Sequence, residues 1–141
     1  MRVVAFAPAF SVTEEIDGGL SARGFPMTRA FVDIFPVEIT VSLVVAVWAD
    51  GGSDYDMVKY IAVDSAEGRR LATMQFSWHG DDNTAVPVKY RAFVQHLPLR
   101  IESEGTLTIG LYDSAEATDS EHVFHLPVLL NPLNNPAQSL N

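Results

Sequence analysis

Cysteine is absent from this chain of 141 residues. Its absence excludes disulfide bonds, a thiolate nucleophile and metal sites with sulfur ligands. A chain without disulfides fits a reducing compartment, and we expect a cytoplasmic protein. The chain is still long enough to bury roughly 70% of its unfolded surface, so we expect one hydrophobic core that needs no covalent cross-links.

Basic residues are also scarce. The chain has nine Lys and Arg residues and 18 Asp and Glu residues, which gives a formal net charge of −9 at pH 7. Phosphate backbones and anionic membrane surfaces repel such a chain, so we expect neither nucleic acid nor membrane as a partner. No stretch approaches the ~18 consecutive apolar residues of a membrane-spanning helix. We therefore expect a protein partner or self-association.

The hydrophobic pattern alternates with a period of two residues. In VEITVSLVVAVW (37–48) every odd position is apolar, whereas the even positions begin polar and become apolar from Val44 onwards. This is typical of a long strand with one face buried throughout and the other covered only near its end. The same alternation occurs in RLATMQFSW (70–78), VPVKYRAFVQHL (86–97), TLTIGLY (106–112) and HVFHLPVLL (122–130).

These strands predict an all-β fold, an antiparallel β-sandwich of about seven to eight strands that is immunoglobulin-like or C2-like. Turns such as DGG (50–52) and GDDN (80–83) supply the residues that reverse the chain. Residues 1–130 are predicted to form a single domain, and residues 131–141 a polar C-terminal tail. The apolar N-terminus predicts a first strand rather than a signal peptide, because Pro8 interrupts it and only one basic residue precedes it.

The segment FPMTRAFVDIFP (25–36) is the longest stretch without strand alternation. It is apolar and has a proline near each end. We expect one helical turn around Thr28–Asp33 that folds over an open end of the sandwich. Such a segment either caps the core or forms a contact surface, and Phe31, Ile34 and Phe35 are the residues we expect at an interface.

Several stretches together resemble a family of small, uncharacterised bacterial β-sandwich proteins, known only as a domain of unknown function. They are AFAPAF (5–10), DGGLSARGF (17–25), FPVEITVSLVVAVW (35–48), FVQHLPLRIESEGTLTIGLYD (93–113) and HVFHLPVLL. The resemblance covers most of the chain. It implies a sandwich fold and a cytoplasmic, non-enzymatic protein, and it assigns no catalytic residues.

Two histidines three residues apart, His122 and His125, stand beside Glu121 and offer either metal ligands or an acid/base pair. Side chains of a strand alternate between its faces, so an offset of three separates the two imidazoles across the sheet. They bind one ion together only if a bulge intervenes. We therefore interpret both histidines as structural, with one of them buried or at an interface and the other more exposed.

Two acidic loops suggest an alternative function. Asp50, Asp54 and Asp56 in one loop and Asp81 and Asp82 in the other carry carboxylates, which calcium prefers as ligands. Their spacing matches no EF-hand, and they form one site only if both loops lie at the same end of the sandwich. A calcium- or carbohydrate-binding module is therefore the alternative hypothesis.

The leading hypothesis is a non-catalytic protein-interaction or self-association module without a cofactor. The chain has neither a GxSxG nor an HExxH motif, so we predict that it is not an enzyme. The remaining alternative is a hydrolase that uses His79 or His96 with a nearby aspartate.

Calcium separates the first two hypotheses. If the acidic loops bind calcium, the melting temperature should rise from EDTA to millimolar calcium, because a ligand of the folded state alone stabilises that state. The leading hypothesis expects no rise. A thermal-shift assay measures the difference, with magnesium at the same concentration as the control for ionic strength.

Overall fold

The computed structural model describes residues 2–50, 56–79, 88–120 and 122–134. Ten strands make up nearly all of the regular structure in these ranges. They are β1 (Arg2–Ala9), β2 (Ser11–Glu14), β3 (Leu20–Arg23), β4 (Ala30–Val32), β5 (Val37–Asp50), β6 (Asp56–Asp64), β7 (Arg70–His79), β8 (Val88–Ile101), β9 (Gly105–Tyr112) and β10 (His122–Leu130). A single 3-10 turn follows at Pro132–Asn134. The prediction of an all-β fold is confirmed.

The strands form three sheets. The first has three strands in the order β1-β5-β8, the second has five in the order β4-β10-β9-β6-β7, and β2 pairs with β3 in a hairpin. All of these pairs are antiparallel except β4 with β10, which is parallel. Within the described ranges no helix has the length and apolarity required to cross a membrane.

Strand β5 follows the alternation of its sequence. Val41, Leu43, Val45 and Val47 are at most 2% exposed and belong to the hydrophobic core. On the opposite face Thr40 is exposed, whereas Val44 is buried and Trp48 half-buried. The change from polar to apolar residues along this face therefore matches a change from solvent to partial burial, as the sequence predicts.

The core contains side chains from both larger sheets. Its buried members are Val32, Val41, Leu43, Val45, Val47, Ile61, Val63, Phe76, Leu97, Leu99, Ile101, Leu107, Ile109, Leu111, Leu126 and Val128. The rings of Phe76 in β7 and Phe93 in β8 meet edge to face, with their centroids 5.1 Å apart. One continuous apolar cluster thus joins the two sheets, and its burial supplies the main driving force for folding.

The segment 25–36 contains a strand where the sequence predicts a helical turn. Ala30–Val32 forms β4, which pairs with Val128–Leu130 in parallel register. Val32 is 7% exposed and joins the core, and the backbone NH of Asn131 donates to its carbonyl at 2.7 Å. The prediction of a helical turn around Thr28–Asp33 is therefore wrong. Pairing with β10 satisfies backbone groups that a single isolated turn would leave largely unpaired.

Two positions of β9, three residues apart, test the assignment of its faces. Replacing Ile109, which is fully buried, with alanine should lower the free energy of unfolding by about 2–5 kcal/mol through the cavity it leaves. Thr106→Ala, at an exposed position of the same strand, should change it by less than about 0.5 kcal/mol. Chemical denaturation followed by circular dichroism measures both values. Similar losses for the two variants would contradict the assignment.

Candidate functional site

Three chain segments meet where β1 ends. The backbone NH of Phe10 donates to the carbonyls of Arg23, at 3.0 Å, and Gly24, at 3.3 Å. The NH of Met27 donates to the carbonyl of Pro8 at 2.7 Å. These bonds hold the start of the 25–36 segment against the junction between β1 and the β2–β3 hairpin. The surface built there is therefore fixed by backbone contacts rather than by side chains alone.

A groove of about 650 Å³ opens beside this junction. We call it the Phe31 groove. Its walls are residues 26–32 on one side and Ile39, Thr40 and Val41 on the other, with Phe10 and Gly24 at one end. Its volume lies within the range of roughly 300–1,000 Å³ that is usual for binding sites.

Large apolar side chains are exposed in and beside the groove. The exposed fraction is 65% for Phe10, 47% for Phe31, 44% for Phe25 and 66% for Ile34. The Arg23 guanidinium lies 5.1 Å from the centre of the Phe10 ring, and that of Arg29 lies 5.4 Å from the Phe31 ring. Such cation–π contacts orient the rings but leave much of their surface in water.

The charge of the groove differs from that of the whole chain. Among the described residues that line it, Arg29 is the only charged one, although the chain carries a net charge of −9. A basic group beside an apolar surface attracts a carboxylate that arrives with an apolar partner. The groove is therefore the feature of the described residues best suited to binding another molecule.

The three predicted interface residues lie in different surroundings. Phe31 lines the groove and Ile34 is exposed beyond it, whereas Phe35 is half-buried and packs against the core.

Phe10 was missed by the sequence reasoning. The alternation in AFAPAF would place it on the same face as Phe6, and only the turn after Ala9 exposes it.

The two histidines of β10 lie on opposite faces of a strand, as the offset of three predicts. His125 pairs across the sheet with Thr108, and its Nδ1 lies 3.4 Å from the threonine hydroxyl. His122 lies with its ring 6.4 Å from that of Phe6. Both histidines are exposed. Burial of one of them is therefore ruled out, because His122 is the first residue of its strand, at the margin of the core. The alternative part of the expectation, that one of them lies at an interface, stays a prediction.

His96 lies on the outer face of β8 and shares a hydrogen bond of 3.1 Å with the Ser42 hydroxyl of β5. A serine–histidine pair is also found in hydrolases, where a carboxylate orients the imidazole and backbone NH groups stabilise the oxyanion. In the described residues the bond to Ser42 is the only hydrogen bond of His96, and both side chains lie on an open sheet face. We therefore interpret the pair as a cross-strand contact.

The acidic residues of the alternative hypothesis fall largely outside the described part of the chain. Asp54, Asp81 and Asp82 lie outside it, and Asp50 and Asp56 are described only as ends of β5 and β6. The side chain of His79 is likewise outside it. Among the side chains that the structure does describe, no group of three or more His, Asp or Glu is placed to hold a metal ion.

Comparison with protein-family models, with curated proteins and with solved structures finds no match to this chain.

Gly24 tests how the groove is built. It has a φ of +64°, and a Cβ there would lie 2.9 Å from the Cβ of Phe10. Gly24→Ala should therefore cost roughly 1–3 kcal/mol of stability, through the left-handed backbone and the displacement of Phe10.

Gly19→Ala is the matched control. Its added Cβ would meet only the Asp17 carboxylate, at an ordinary contact distance of 3.6 Å. We expect a change within about 0.5 kcal/mol. Denaturant titration of both variants measures the difference, and equal stability would show that the contact between Gly24 and Phe10 is unimportant.

Proposed function

We propose that the protein is a non-catalytic interaction module that binds another protein, or a second copy of itself, through the Phe31 groove and the apolar side chains beside it. The observation that carries this proposal is the exposure of Phe10 and Phe31 in one groove, with Phe25 and Ile34 also exposed in the 25–36 segment that forms one of its walls. Water-exposed aromatic side chains held in fixed positions are typical of the residues that dominate binding energy at protein interfaces.

Charge supports the same proposal. A chain of net charge −9 is a poor ligand for nucleic acid or anionic lipid. Arg29 at the groove favours a partner with an acidic group next to apolar residues. No cofactor is part of this function.

The proposal also includes the class of the fold and a location in the cytoplasm. We propose that the two larger sheets pack as a β-sandwich of immunoglobulin-like or C2-like form, since one apolar cluster contains side chains from both. The family of uncharacterised bacterial sandwich proteins, with a cytoplasmic setting, belongs to the same proposal. Small sandwiches of this kind take their function from surface sites rather than from the fold.

Phe31→Asp tests the function. A charge at the centre of the contact should weaken self-association, or the binding of a captured partner, by about tenfold or more. Because Phe31 is 47% exposed, the variant should remain folded, which the melting temperature checks. Light scattering at micromolar concentration measures the solution mass, and a pull-down followed by titration measures the partner's affinity.

Tyr90→Asp is the matched control. Tyr90 is 69% exposed and pairs with Trp48, at the other end of β5 from the groove. This variant should leave association unchanged. A wild-type protein that is monomeric and has no partner sensitive to Phe31→Asp would contradict the proposed function.

A further inference from the structure

Each wall of the Phe31 groove includes part of a strand. Ala30, Phe31 and Val32 of β4 all line it, and so do Ile39, Thr40 and Val41 of β5. Side chains of consecutive strand residues point to opposite faces. A groove that touches three consecutive residues therefore runs along the edge of the strand, where the backbone NH and carbonyl groups are.

One of these edges is left free by the length of β1. Strand β8 pairs with β5 along its whole length, from Val37 to Asp50. On the other side β1 pairs with β5 only as far as Ala9 opposite Ser42. Over the ranges that the structure describes, no strand continues this pairing along Val37–Val41.

The course of the chain explains why β1 stops there. Phe10 bonds to Arg23 and Gly24, so the chain turns into β2, which pairs with β3. Strand β2 remains close to β5 but does not continue the pairing that β1 makes with it. Strand β4 is the edge of the other sheet, with β10 as its only partner in the described residues. An extended segment in the groove would therefore lie between Val37–Val41, the part of β5 that β1 leaves unpaired, and the outer edge of β4.

We infer that the Phe31 groove binds an extended peptide segment of a partner protein by β-strand addition, antiparallel to Val37–Val41 of β5. This inference rests on the interaction function proposed above and names its mode of recognition. The added strand takes the position that β1 vacates. Backbone hydrogen bonds to the β5 edge supply affinity, and side chains at alternate positions supply specificity.

The chemistry of the groove defines the partner segment. Alternate residues of the added strand face Phe31 and the apolar wall, so these residues are apolar. Arg29 is the only charged residue that the structure describes in the lining, so a carboxylate lies in the partner within reach of its guanidinium. The segment lacks proline at positions that donate to β5, since proline has no NH.

A phage-displayed library of random peptides of roughly ten residues, long enough to span the free edge with flanks, is the probe. Panning against the full chain should enrich sequences with alternating apolar residues and an Asp or Glu. Synthetic versions of these peptides should bind Tyr90→Asp as tightly as wild type. Phe31→Asp should weaken them by about tenfold or more, and Arg29→Glu by about three- to tenfold.

Backbone methylation separates strand addition from docking of side chains alone. Methylation of the alternate peptide amides that point towards β5 removes the donors to β5. It should weaken binding by roughly tenfold or more. Methylation of the alternate amides that point away from β5 should have less than about a third of that effect. Hydrogen exchange measured by mass spectrometry should show slower exchange in residues 37–41 when the peptide is bound.

The outcomes distinguish this inference from the function on which it rests. One outcome is binding that depends on Phe31, is weakened equally by both sets of methylated amides and does not slow hydrogen exchange in residues 37–41. This outcome overturns strand addition but leaves the proposed interaction function standing. A dimer of the chain that Phe31→Asp dissociates, and that the peptides do not compete with, overturns the choice of a partner segment. Failure to obtain any binder sensitive to Phe31→Asp overturns strand addition, and the function also fails if no partner or self-association depends on Phe31.

Discussion

Strand β5 has to keep one face in the core and satisfy its backbone on both edges over 14 residues. Val41, Leu43, Val45 and Val47 meet the first requirement, since each is almost fully buried. Strand β8 pairs with one edge along its whole length, whereas β1 pairs with the other only from Ser42 to Trp48. The core, the first sheet and the Phe31 groove all follow from how this strand is paired. An unpaired strand edge can pair with another chain, and proteins usually protect such edges. In this structure the unpaired edge of β5 lies in the Phe31 groove, where a partner could pair with it.

The hydrogen bonds at the end of β1 connect this constraint to the surface. Phe10 turns away from β5 because its NH bonds to the end of β3, and Gly24 permits the close approach through its left-handed backbone. The 25–36 segment then lies against the same junction through Met27. A single change of direction in the chain thus frees the β5 edge and exposes Phe10 beside it. Arg23 and Arg29 hold the exposed rings of Phe10 and Phe31 by contact with their faces.

Much of the fold was predictable because strand alternation is a local property. Strands β5, β7, β8, β9 and β10 fall on alternating stretches, and the separation of His122 from His125 across β10 follows from their offset alone. The short strands β2 and β4 escaped prediction, since three or four residues are too few to show a period. For β4 the missing information was its partner. Parallel pairing with residues 128–130 joins positions almost a hundred residues apart, and nothing in AFV indicates it. Phe31 was found from its apolar surroundings, whereas Phe10 was not, because its exposure depends on a turn.

The amino-acid sequence alone determined the β class, the buried face of β5 and the absence of thiol chemistry. These properties depend on residue type and on spacing within one element, and both can be read along the chain. The tertiary structure decided where β1 leaves its sheet, which edge stays free and which side chains surround the groove. These features depend on contacts between Phe10, Gly24, Met27 and Pro8, which come from separate segments. A period of two specifies which face of a strand is apolar, but only the pairing of strands specifies which edge remains available to another molecule.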